Sequence, residues 1–131
     1  MKAELKRVLL VDDDEAIRMI ARMALELGGL EVVECASGAE ALRRAPRARA
    51  DLILLDVMMP QMSGLHTLEA LRRLTETAAT PVVFLTARVM PKDVAEYRAL
   101  GAEEVIVKPF DAAELPAHLR AIWVRSAPRE A

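Results

Sequence analysis

The sequence predicts an α/β fold: a doubly wound, five-stranded parallel sheet with five helices on its two faces. Three observations carry this. Short apolar runs such as Leu-Ile-Leu-Leu at 52–55 lack polar alternation, as strands buried on both faces do. Between such runs lie segments with helical spacing of apolar residues, punctuated by Gly and Pro. Four of the runs end in a polar residue: 8–11 in Asp12, 52–55 in Asp56, 82–85 in Thr86 and 105–107 in Lys108. In parallel register those residues gather at one sheet edge, and ligands of open α/β sheets bind outside the carboxyl ends of strands.

In chain order, the first strand covers residues 7–11 and the first helix 15–27, with Ile17, Ile20, Ala21 and Ala24 on one face. Gly28-Gly29 ends it. A strand at 31–35 precedes a helix opened by Ser37-Gly38 and closed by Pro46. The third strand is 51–56, and Pro60 and Gly64 shape the loop leading to a helix over 65–74. Pro81 introduces the fourth strand, Pro91 opens the fourth helix and Gly101 closes it. The fifth strand ends at Lys108. In the last helix Asp111 and Glu114 have capping-box spacing, while Leu115, Leu119, Ile122 and Trp123 face inward. Pro116 predicts an irregular first turn or a later start there. Residues 125–131 read as a frayed tail, so the single domain has its core at about 6–124.

Composition narrows the function classes. The 131 residues fit one domain, and 53% apolar with 29% charged residues is a globular balance. Eighteen basic against twenty acidic residues give net charge −2, without the basic excess of nucleic-acid binders. No nucleic-acid partner is expected on that charge, and no membrane partner, because the N-terminal residues show no long apolar stretch with a small-residue cleavage site and nothing approaches a membrane span. The lone Cys35 is expected to be a small buried hydrophobe, and the location cytoplasmic.

The flavodoxin-like strand order 2-1-3-4-5 sets strands 1 and 3 side by side, which brings Asp12, Asp13 and Asp56 together. Three carboxylates at such range raise one another's pKa unless a cation neutralises them. Magnesium suits an all-oxygen set, with Asp12, Asp13 and Asp56 and the backbone carbonyl of Met58 as ligands. Thr86 and Lys108 aim a hydroxyl and an ammonium at the same place, which fits a phosphoryl group carried on Asp56 as nucleophile.

These residues resemble the receiver domain of two-component response regulators over roughly 6–124. The likeness rests on Val-Asp-Asp-Asp at 11–14, Asp-Val-Met-Met-Pro-Gln-Met-Ser-Gly at 56–64, Leu-Thr-Ala at 85–87 and Val-Lys-Pro-Phe at 107–110. It implies that Asp56 accepts a phosphoryl group from a phosphohistidine on a sensor histidine kinase or phosphotransfer protein. It further implies that Asp13 binds magnesium directly and Asp12 through water, that Thr86 moves toward the phosphoryl group, and that Lys108-Pro109 is cis. A phosphorelay role, an unidentified downstream protein target, and a monomer or phosphorylation-dependent dimer follow from the same likeness. Receivers commonly carry Tyr or Phe three residues before the lysine, where this chain has Val105. A valine is too small to report the change by such a rotation, which leaves two readings: output through the loop 88–91 and the fourth helix, where Tyr97 stands, or a surface-lying Tyr97 with no switching role.

Other features have plainer readings. Asp14 and Glu15 are first-turn acids, His66 and His118 surface residues, and Arg43, Arg44, Arg47 and Arg49 a solvated face. Met19 and Met23 lie off the core face of the first helix, which receivers use largely to dock kinases. Two rival functions are an aspartyl-phosphate phosphatase and a transcription factor. The first needs a second acid two residues after the nucleophile, where Met58 stands, so no turnover enzyme is expected beyond transfer onto Asp56 itself. The second needs a DNA-binding domain, which is not expected with about eight residues after Trp123. The expectation is a single-domain response regulator, with a receiver-like module acting without phosphorylation as the alternative.

Overall fold

The computed structural model describes residues 3–126. Its elements alternate as β1 (Arg7–Val11), α1 (Glu15–Leu27), β2 (Glu31–Cys35), α2 (Gly38–Ala48), β3 (Leu52–Asp56), α3 (Gly64–Arg72), β4 (Val82–Thr86), α4 (Pro91–Ala99), β5 (Glu104–Val107) and α5 (Leu115–Arg125). Single 3-10 turns stand at Thr75–Thr77 and Ala112–Glu114. The strands pair in parallel in the predicted flavodoxin-like order β2-β1-β3-β4-β5.

Strand periodicity divides the core in two. Leu9, Val11, Ile53, Leu55 and Phe84 point to one face, where they meet Ala41, Ala45, Leu68, Leu71 and Tyr97. Their alternates Val8, Leu10, Leu52, Leu54, Val83 and Leu85 point to the other, against Ala21, Leu25, Leu115, Leu119 and Ile122. Helices α2, α3 and α4 therefore cover one face, and α1 and α5 the other. Cys35 is buried, as expected, and burial, then the charge of Glu40, pushes its thiol up to about 11, so it is no nucleophile at neutral pH.

Local chemistry accounts for the ends. Asp14 caps α1 by accepting the N–H groups of Ala16 and Ile17, and Ser37 and Ser63 cap α2 and α3. Gly101 follows α4 at φ 102°, a left-handed conformation that favours glycine. Pro116 sits at the start of α5 behind the Ala112–Glu114 turn, which is the irregular entry its position predicts.

Several expectations are corrected. Pro46 does not close α2 but lies inside it; the helix runs on to Ala48 because Ala41 and Ala45 hold its inner face in the core. Ile20 is 51% exposed, and the inner line of α1 is Ile17, Ala21 and Leu25. The third helix starts one residue earlier, at Gly64, and ends at Arg72, and β5 stops at Val107, one residue before Lys108. Asp111 caps the Ala112–Glu114 turn by accepting the N–H of Ala113, and α5 itself starts after Glu114 without a side-chain cap bond. Of the predicted tail, Arg125 completes α5 and Ser126 is its buried cap; residues 127–131 lie outside the described residues.

Candidate functional site

The site is assembled by strand ends of matched length. Val11 is paired with Leu55, and Asp56 with Leu85, so Asp12, Asp56 and Thr86 close neighbouring strands at the same edge. The ladder carries on beyond the strands: Asp12 donates its N–H to the carbonyl of Cys35 at 3.1 Å, and Lys108 donates to that of Thr86 at 2.9 Å. These bonds fix the backbone at Asp12, Thr86 and Lys108. The Lys108-Pro109 bond is cis, as expected.

Carboxylate oxygens of Asp12, Asp13 and Asp56 lie within 4.8 Å of one another. Asp12 and Asp56 are buried and Asp13 is exposed. One ammonium serves both buried acids: Lys108 Nζ donates to Asp12 Oδ2 at 2.9 Å and to Asp56 Oδ1 at 3.3 Å. Asp12 Oδ1 also accepts the N–H of Asp14 at 2.9 Å, and Asp56 Oδ1 that of Met58 at 3.2 Å. The balance is incomplete. Burial, then the charge of Asp12, pushes Asp56 up to about 7, with Lys108 pulling against both. For Lys108 burial opposes the charged form, but the hydrogen bonds and charges of Asp12 and Asp56 outweigh it and its pKa is raised.

This donor set fits a hard divalent cation. It consists of oxygens alone, with a surplus of negative charge over the single ammonium. Such an ion would offset the burial and the charge of Asp12 that raise Asp56.

A protein-family model described as the response regulator receiver domain matches residues 8–120. The chain belongs to this receiver family. The receiver is 42% identical over 122 residues to the transcriptional regulatory protein CpxR of Escherichia coli (strain K12), a match covering 93% of this chain and 51% of that protein. It is 36% identical over 121 residues to the alkaline phosphatase synthesis transcriptional regulatory protein PhoP of Bacillus subtilis (strain 168), covering 92% and 50%. The chain thus spans about half the length of these curated relatives. Among solved structures, the chemotaxis response regulator CheY4 of Vibrio cholerae superposes with TM-score 0.84 at 37% identity, covering 90% of this chain and 98% of that one.

All of the side chains singled out from sequence lie at this edge of the receiver: Asp12, Asp13, Asp56, Thr86 and Lys108, with Met58 in the loop after β3. His66 and His118 are exposed, as are Arg43, Arg44, Arg47 and Arg49. Among the described residues no helix is long and apolar enough to cross a membrane.

Three contributors were missed or read differently from the sequence. Arg18, one turn into α1, donates to the carbonyl of Asp12 at 2.8 Å and so steadies the acidic loop. Gly64 permits α3 to start directly against β3, because a Cβ there would collide with the Asp56 carbonyl and stand 2.8 Å from Val57 Cα. The collision was foreseeable only once the fold was known. Tyr97 is the third. It is 2% exposed, not surface-lying, with its ring edge-to-face on Phe84 and its hydroxyl donating to the Arg88 carbonyl.

Proposed function

We propose that this receiver takes a phosphoryl group onto Asp56 and thereby changes which protein partner it binds, or relays the group onward. The observation that supports this best is the ammonium of Lys108 shared between Asp12 and Asp56 at 2.9 and 3.3 Å. It stands where charge builds up when a phosphoryl group approaches Asp56.

In this reading an ionised Asp56 oxygen attacks the phosphorus of a phosphohistidine on a sensor histidine kinase or phosphotransfer protein. The P–N bond breaks and its electron pair stays on the imidazole nitrogen. Lys108 pairs with one phosphoryl oxygen and the Thr86 hydroxyl donates to another. Asp12, Asp13, Asp56 and the Met58 carbonyl would hold Mg2+. When bound, that ion supplies the positive charge that keeps Asp56 ionised at neutral pH and offsets the phosphoryl oxygens. Two residues beyond Asp56, Met58 offers no acid or base to drive hydrolysis, so the acyl phosphate persists as a signal and the protein is not a turnover phosphatase.

The kinase-facing surface in this reading is α1, where Met19, Ile20, Met23 and Leu27 are exposed together. An apolar stripe of adaptable side chains suits a partner helix. For this receiver the proposed output is protein binding in the cytoplasm.

Intact mass after incubation with Mg2+ and acetyl phosphate tests the proposal. One phosphoryl adduct is expected on the wild type and none on Asp56→Asn. An adduct retained by the variant would refute the assignment. A folded wild type that takes no adduct would favour a module that binds its partner without phosphorylation.

A further inference from the structure

Thr86 is tied to more than the acidic site. Its hydroxyl oxygen accepts the N–H of Arg88 at 3.1 Å, and the carbonyl of the same Arg88 accepts the hydroxyl of Tyr97 at 2.9 Å. Tyr97 is the only tyrosine of the chain. Its ring meets Phe84 with centroids 5.2 Å apart and planes at 73°. Phe84 lies two residues before Thr86 on β4, hence on the same side of the strand. Phe84 is paired with Val105 on β5, and the short Val105 side chain packs against the same cluster as the Tyr97 ring.

The anchoring of α4 is thin. Asp93 and Tyr97 are its only buried residues. Asp93 is spent on the helix start, where its carboxylate accepts the N–H of Met90 at 3.3 Å. Tyr97 is therefore the main apolar attachment of α4 to the sheet, and its polar end is fastened to a loop residue that Thr86 holds. Beside that residue in the loop, Val89 and Met90 are exposed apolar side chains.

We propose that Tyr97 is the latch by which α4 reports the state of Asp56, opened when Thr86 lets go of Arg88. The inference rests on the reading that Asp56 carries the phosphoryl group. New oxygens on Asp56 compete for Thr86, and a Thr86 side chain turned toward them gives up the Arg88 N–H. The loop must then move to find that N–H another partner, because a donor left unpaired is costly. Its movement carries the Arg88 carbonyl away from Tyr97. A buried phenol without an acceptor is costly for the same reason, so Tyr97 leaves the Phe84 face, α4 loosens, and Val89 and Met90 are re-presented as partner surface.

A single tyrosine makes the test direct. With 3-fluorotyrosine incorporated, the protein has one aromatic fluorine reporter, read by NMR before and after acetyl phosphate and Mg2+, with intact mass taken on the same sample. The expected result is an adduct accompanied by a shift of the resonance toward its solvent-exposed position. In unmodified Thr86→Ala, which lacks the acceptor for Arg88, the resonance should already be displaced, while Thr86→Ser should restore it. Tyr97→Phe removes only the hydroxyl and should bind the phosphoryl mimic beryllofluoride about 2- to 10-fold more tightly, the equivalent of one hydrogen bond that no longer opposes release. A full adduct with a stationary resonance would overturn the latch, as would a Thr86→Ala resonance coincident with the wild type. If no adduct forms at all, the phosphoacceptor reading falls, and the Thr86 variants decide the latch by themselves.

Discussion

The two edges of the sheet use the same residue type to opposite ends. At the amino edge, Asp51 accepts the backbone N–H groups of Lys6 and Arg7 at 3.0 and 2.9 Å, joining the entry of β1 to that of β3. At the carboxyl edge, Asp12, Asp13 and Asp56 crowd within 4.8 Å around one lysine. The first arrangement satisfies a carboxylate with neutral donors and serves the fold. The second leaves negative charge in surplus, and burial, then the charge of Asp12, pushes Asp56 up to about 7. A frustrated edge costs stability unless something positive binds there, which makes that edge and not the other the candidate site.

The largest expected effect separates the edges completely: Asp56→Asn abolishes the acetyl phosphate adduct, whereas Asp51→Ala leaves it unchanged by intact mass. Next comes pH. Without metal, Asp56 holds its proton to about 7 in the folded state against an ordinary value of 3.8. Its favourable contribution is then full below the unfolded value and lost as pH rises through the folded one. Urea unfolding in a chelator should find Asp56→Asn more stable than the wild type by a few kcal/mol at pH 8, a gap that closes toward pH 4. Lys108, raised above an ordinary 10.5, stays charged throughout that window. A gap independent of pH would mean that burial and the charge of Asp12 do not raise Asp56.

Gly64→Ala probes how tightly α3 abuts Asp56. The added methyl group is expected to cost about 1–3 kcal/mol in the same unfolding assay, and to slow adduct formation by displacing the Asp56 backbone. Asp51→Ala should cost about 1–2 kcal/mol, since water reaches part of what it leaves unpaired. The smallest effect, about 1 kcal/mol, is expected for Asp14→Ala, which removes the cap of α1 without touching the charge cluster.

The fold was legible because its signals are local. The 52–55 run and the Gly28-Gly29 and Pro91 punctuation each report on a few neighbouring residues, and the observed elements begin and end near them. Pro46 misled because the rule that proline ends helices weighs one lost hydrogen bond and ignores the buried alanines that hold α2 together. Ile20 and Tyr97 misled in opposite directions. Hydrophobic spacing sets Ile20 on the inner face of α1, yet no element covers it. A tyrosine on a largely exposed helix reads as surface, yet Phe84 and the Arg88 carbonyl draw it in.

By itself, the sequence determined the alternation of strands and helices, the polar residue ending each central strand, and with them the edge where the chemistry gathers. Those are consequences of periodicity and turn chemistry, which act over a few residues. Tertiary structure decided which apolar side chains are covered, how closely α3 abuts Asp56, and how the charges divide. Burial and Coulomb energy depend on distances in space. Lys108 stands 96 residues from Asp12 and 52 from Asp56 along the chain, and only the folded sheet makes them neighbours.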